Sequence, residues 1–193
     1  MSQWKLFATV FVTGMAVTAI ELTASRLVAP YFGASLFIWT NIIGVVLLAL
    51  SIGYYVGGRI ADKRNGEVAG KILYPLIFVT GLYVALIPFI GKPIFLFAYS
   101  AIGQSALGVF VPSLFAMLIL FSLPLVALGM ISPLASRLAL HSMQNAGRVI
   151  GSLYAFSTVG SILGTFIPVL FTIPFLGSRE TFYLFGAVLM LAG

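Results

Sequence analysis

Apolar runs long enough to cross a bilayer, broken by short stretches of charge, glycine or proline, recur from one end of this chain to the other. The first run predicts a helix over about Lys5–Ala29, ending before Pro30 because proline disfavours helix at the residue preceding it. Tyr31-Phe32-Gly33 reads as the turn, and a second helix follows over Leu36–Arg59, with Trp39 placed for the membrane interface. Further helices are expected over Ile72–Ile90, over Ser113–Leu134 with Pro124 at its middle, over Gly147–Phe171 and over Arg179–Gly193. Pro93–Val111 is the ambiguous stretch. It carries Gln104, two serines and two glycines between two prolines. The alternation that would mark a transmembrane barrel is missing, so the fold class is an all-α polytopic membrane protein.

Charge sets the number of crossings. Arg59, Lys63, Arg64 and Lys71 flank or fill the second connection, which the positive-inside rule makes cytoplasmic. Arg137, His141 and Arg148 form a second basic connection. If Pro93–Val111 crosses, the chain has seven spans and the two basic connections face opposite sides. If it lies in the interface or re-enters, there are six, and both termini are cytoplasmic; six is the expected number. The last predicted helix, about 15 residues and ~22 Å long, is short for a hydrocarbon core of ~30 Å. The chain is therefore expected to continue beyond Gly193.

Composition narrows the functions. Only 7% of the 193 residues are charged and 61% are hydrophobic, whereas a water-soluble domain carries about 25% charged residues. Mean hydropathy is +1.17. The absence of cysteine excludes disulfides, thiolate metal sites and a cysteine nucleophile, and the one histidine cannot build a metal cluster by itself. No cofactor or metal is expected. The net charge of +6 lies at the ends of apolar segments, so it points to topology and lipid headgroups and not to nucleic acid. Lys5 with the following apolar run imitates a signal peptide, but the run is too long and lacks a small-residue cleavage site. The whole chain, 1–193, reads as a single transmembrane domain.

The chemistry begins with Glu21, one of four acids and the one placed inside a membrane-spanning run. A carboxylate there costs at least ~2.5–3.5 kcal/mol and is usually functional or partnered. Arg26 lies about 140° around the helix from it and ~7.5 Å along the axis, so the two do not stack. The candidate ligand-binding set is Glu21, Ser25, Arg26 and Trp39, in a cavity open to the outer side that would hold a cationic group. Ala49, Gly53, Gly57 and Ala61 recur every four residues as a close-packing ridge. Its expected partner is the glycine-rich face holding Gly151, Ala155, Gly160 and Gly164. Asp62, at the cytoplasmic end of the second helix, is expected to pair with Arg137 or Arg148 as a charge lock.

Several stretches resemble the membrane domain of fused membrane–spermidine synthase proteins. They are Glu21 and Arg26 with Pro30, Phe32-Gly33-Ala34-Ser35 and Trp39, then Gly53, Gly57-Gly58-Arg59 and Asp62, then Gly129, Pro133 and Arg137. The series closes with Gly147-Arg148, Gly151, Tyr154, Thr158, Gly160, Gly164, Pro174, Gly177 and Arg179. Gly58-x-x-x-Asp62-Lys63-Arg64 is similar, more loosely, to a loop of major facilitator transporters, which implies a facilitator-like half-bundle. In the family a soluble aminopropyltransferase-like domain follows the helices. These residues contain no such domain, so no catalytic residue carries over and no enzymatic activity is assigned to them. Three readings follow. The resemblance implies a domain that anchors or regulates an aminopropyltransferase-like partner domain or chain and binds a polyamine-like cation. The alternatives are a transporter or channel for a small cationic solute, which at this size would require a homodimer or a different fold, and a structural membrane assembly protein. Either way the location is an integral one in a cell or inner membrane.

Overall fold

A computed structural model describes residues 3–63, 66–100, 106–140 and 146–193. Among them every regular element is helical: α1 (Gln3–Phe32), α2 (Leu36–Lys63), α3 (Gly66–Ser100), α4 (Ala106–Ala139), α5 (Ala146–Phe175) and α6 (Ser178–Ala192). Five of them, α1 to α5, are long and apolar enough to cross a membrane. The chain is therefore a helical integral membrane protein. Helices dominate because a bilayer offers no water to an unpaired backbone group, and a helix pairs its own.

The prolines do less than the sequence suggests. Pro30 lies inside α1, while α3 runs through Pro75, Pro88 and Pro93, and α4 through Pro112, Pro124 and Pro133. The expected ends at Ala29 and Ile90 are thus overrun, and Pro93–Val111 forms no separate element: Pro93–Ser100 extends α3, and residues 106–111 begin α4. Residues 101–105, with Gln104, lie outside the described residues. In lipid the alternative to a proline-interrupted helix is a longer stretch of unpaired backbone, so the helix persists. In α5 the consequence is visible as a π-turn over Pro168–Thr172, where the Ile173 N–H donates to Pro168 O. Tight reversals use glycine with positive φ, Gly33 (φ 79°) between α1 and α2 and Gly177 (φ 105°) between α5 and α6.

Side-chain contacts give the helix directions. Phe7 stacks on Phe156 at 4.8 Å and Thr18 donates to Ser161 O, so α1 and α5 run parallel. Asn41 meets Ser113 and Gly53 meets Gly129, so α2 and α4 run parallel. Phe89 faces Tyr183 while Gly81 faces Gly186, which makes α6 antiparallel to α3. Lys5, Tyr74 and Gly193 line one cavity, and Tyr31 packs on Phe95 at 5.1 Å near the other end of α1. One end of the bundle therefore gathers Lys5, Arg59, Lys63, Lys71, Arg137 and Arg148; Arg26, Lys92 and Arg179 lie toward the other. The first is the basic end below.

Glycine decides which helices touch. Ala49, Gly53, Gly57 and Ala61 are all buried, as a packing ridge requires, but they pack on α4 and not on α5. A Cβ on Gly53 would come within 2.9 Å of Gly129 Cα, and one on Gly57 within 2.7 Å of Met130 Cα. Gly160 and Gly164 press instead on Phe11 and Met15 of α1. Gly151 corrects the expectation in another way: it is exposed and a Cβ there would meet open space, with Ala155 exposed beside it. The glycines of α5 belong to two faces, of which only one meets α1.

The α2–α4 contact is also clamped by a buried polar pair. Asn41 Nδ2 donates to Phe110 O and to Ser113 Oγ, both at 2.9 Å. Asn41→Leu is expected to lower stability by about 1 kcal/mol, in the range measured for hydrogen bonds between membrane helices. Thermal unfolding in detergent, with Ser113→Ala as the second leg of a double-mutant cycle, checks this. Additive losses would show that the pair contributes no coupling.

Candidate site around Glu21

Glu21 lies half-buried on α1, on the face that also carries Gly14 and Thr18, spaced i, i+4 and i+7. This face borders a cavity of about 210 Å³ between α1, α2, α4 and α5. The polar lining is Thr13, Thr18 and Glu21 from α1, Tyr54 from α2, Ser132 from α4, and Ser157 and Ser161 from α5. Helix packing puts them together. Close approach of Gly160 and Gly164 to α1 brings the adjacent Ser157 and Ser161 to the cavity wall.

Several of these hydroxyls have their protons committed. Thr13 Oγ1 donates to Thr9 O (2.9 Å), Thr18 Oγ1 to Ser161 O (2.9 Å), and Ser161 Oγ back to Gly14 O (3.1 Å). The last two form a reciprocal clamp between α1 and α5. A hydroxyl whose proton is used in this way offers the cavity only lone pairs. With the carboxyl of Glu21 among them, the wall is rich in oxygen acceptors, which suits a cation.

On its other side Glu21 meets a small, wholly apolar cluster of Ile20, Ala24, Ile42, Val45, Val46, Met117, Phe121 and Leu125. This cluster lies toward the end opposite the basic one, since α2 and α4 both run from that end. The polar lining extends the other way. Ser132 also borders a narrower gap with Ser136, Leu153 and Tyr154, one turn nearer the basic end. The expected opening toward Arg26 and Trp39 is thus replaced by an apolar seal.

The other expected ligand residues stand apart. Ser25 Oγ donates to Leu22 O at 2.7 Å, Arg26 is exposed, and Trp39 is exposed near the start of α2; none of the three lines the cavity. Asp62, Arg137 and Arg148 all lie exposed at the basic end, and among the described residues no ion pair joins them. The Arg59 guanidinium instead covers the Tyr55 ring at 4.6 Å. His141 is outside the described residues. Among the described residues no three His, Asp or Glu side chains gather as a metal cluster would need. A larger cavity, about 540 Å³, lies at the basic end between α1, α3 and α6 with Lys5 and Tyr74 in its wall.

Sequence reading found Glu21 but missed Thr13, Thr18, Ser132, Ser157 and Ser161. The Gly14–Thr18–Glu21 spacing was legible as one helix face; the partners from three other helices were not. Comparison with protein-family models, with curated proteins and with solved structures returned no match.

Proposed function

We propose that this protein binds a small monovalent cation, an amine or an alkali ion, at Glu21 within the membrane. The observation that carries this is one carboxyl beside six hydroxyls, of which those of Thr13, Thr18 and Ser161 already donate their protons to backbone carbonyls and so turn only lone pairs to the cavity. One acid matches one positive charge, and a site for a divalent ion would use more carboxylates. The transporter reading of the sequence fits this arrangement, because ionisable groups inside membrane helices commonly mark solute or ion pathways. The basic end is cytoplasmic in this reading, following the positive-inside rule. Impermeant thiol labelling of Lys63→Cys and Gly147→Cys in this cysteine-free chain checks the orientation, and both should be reached from the cytoplasmic side alone.

The test of the site is Glu21→Gln, which keeps shape and hydrogen bonding and removes the charge. Wild-type protein in detergent should bind methylammonium or sodium, and the variant should bind at least about tenfold more weakly with its melting temperature retained. A tenfold loss corresponds to about 1.4 kcal/mol. Equal binding by a folded variant would end the cation-site reading.

A second reading is favoured by the gathering of Lys5, Arg59, Lys71, Arg137, Arg148 and Gly193 at one end. That face is where a soluble aminopropyltransferase-like partner, implied by the motif resemblance, would dock. It requires no charge at Glu21, so the same variant separates the two.

A further inference from the structure

Among the described residues the Glu21 cavity is shut along the membrane normal and open at its side. Toward one end, the cluster holding Ile42, Val46, Met117 and Phe121 leaves only about 10 Å³. Toward the basic end, the gap among Val10, Ser132, Ser136, Leu153 and Tyr154 has no room for a water molecule. The floor is α1 and α4, and the walls are α2 and α5, which flank α1 without packing on each other. Leu47 and Tyr54, which line the cavity, are 63% and 49% exposed, so the opening lies between these walls.

Lipid lies outside that opening. Gly14 and Glu21 are ~13.5 and ~24 Å along α1 from Lys5, and Arg26 is ~31.5 Å, so the groove occupies the middle of a ~30 Å hydrocarbon core. At this depth the walls carry large exposed apolar side chains, Leu48 and Ile52 on α2 and Val159 and Ile162 on α5, as lipid contact requires. A solute that reaches Glu21 through the opening therefore comes out of hydrocarbon. Alkali ions do not travel there, since an isolated charge in apolar surroundings is far costlier than a neutral group. An amine does, as its neutral base, and an alkyl chain concentrates it in the bilayer.

On the cation reading of Glu21 given above, we propose that the ligand is an amphiphilic primary amine that enters sideways from the bilayer between α2 and α5. Its nitrogen comes to the carboxyl, and its alkyl chain stays among the lipids. Acid and amine meet neutral: the carboxyl proton passes to the nitrogen lone pair, leaving an alkylammonium against a carboxylate with no further reactant. The ammonium then carries three N–H donors. Facing them are the carboxylate and the lone pairs of Thr13, Thr18 and Ser161. A quaternary ammonium has no N–H to give and would leave those oxygens unpaired.

The experiment uses the full-length chain in phosphatidylcholine vesicles, with mass spectrometry to locate adducts. Access is read with carbodiimides, which add to a carboxyl as an N-acylurea. Lipid-soluble dicyclohexylcarbodiimide should label Glu21, and a water-soluble carbodiimide should not. Equal labelling by both, or by neither, would overturn sideways entry. Occupancy is read with a twelve-carbon primary amine bearing a diazirine beside the nitrogen. On irradiation it should insert into cavity residues such as Leu47, Tyr54 and Ser161. Glu21→Gln, or the trimethylammonium analogue of the probe, should cut that insertion at least fivefold. Should Glu21→Gln fail to fold, Leu47→Trp, which narrows the opening from an exposed position, should give the same loss. Insertion unchanged by these substitutions and by the analogue would overturn the amphiphile. Glu21-dependent binding of methylammonium in detergent without insertion of the probe in vesicles would count against the amphiphile alone. Methylammonium binding that is indifferent to Glu21→Gln would end the cation reading and this inference with it.

Discussion

Gly160→Leu is expected to leave no folded protein in mild detergent, whereas Gly151→Leu on the same helix should give a protomer as stable as wild type. The difference lies in what stands opposite each glycine. A Cβ on Gly160 would run into the backbone of Phe11, including its carbonyl carbon at 2.9 Å, and backbone atoms cannot rotate away. Gly151 has nothing within reach. Overpacking a fitted contact costs about 1–3 kcal/mol and sometimes more, and a leucine adds far more volume than one methylene. Separating α5 from α1 would also break the reciprocal Thr18–Ser161 and Ser161–Gly14 bonds and dismantle two walls of the Glu21 cavity. Melting followed by size-exclusion chromatography reads the result. Equal stability of the two variants would mean that α1 and α5 do not meet as described.

The second large effect is expected at Gly53. Gly53→Leu should abolish folding by forcing α2 from α4, while Gly44→Leu, earlier on α2, should leave the protomer intact. Gly53 and Gly129 face each other, so each helix has removed its side chain at the same point; a Cβ on Gly129 would in turn lie 3.1 Å from Gly53 Cα. Membrane helices gain no hydrophobic energy by leaving lipid for one another, so close backbone packing and interhelical hydrogen bonds carry the association. Loss of the contact would also strand Asn41 from Phe110 O and Ser113. The fraction of protein surviving a heat step in detergent measures this. A heat-stable Gly53→Leu variant would show that the ridge faces lipid.

Much of the fold was legible because one physical rule governs it. Long apolar runs must be helices in a bilayer, so the helical class and most helix positions could be read from hydropathy alone. Errors came where a local rule competed with that one. Pro30 read as a helix end by the steric rule for chains in water, and Pro93 and Pro112 as the bounds of a separate stretch, yet the helices pass through all three. The ridge Ala49–Gly53–Gly57–Ala61 was recognisable from its four-residue spacing, but its partner was not. Small residues announce a close contact without saying with which helix.

What the sequence determined alone was the membrane-spanning helical class, the segregation of basic residues into two connections, the small-residue ridge of α2 and the anomalous position of Glu21. Each follows from a one-dimensional quantity: hydropathy, charge, spacing or a single residue out of place. Only the tertiary structure decided that α2 lies on α4 and α5 on α1, that Ser25, Arg26 and Trp39 stand away from the cavity, and that hydroxyls from α1, α4 and α5 gather on one side of Glu21 with an apolar seal on the other. The reason is that every helix here is apolar nearly all round, so hydropathy does not tell an inward face from a lipid-facing one. The choice falls to contacts between residues more than a hundred positions apart, such as Thr18 with Ser161.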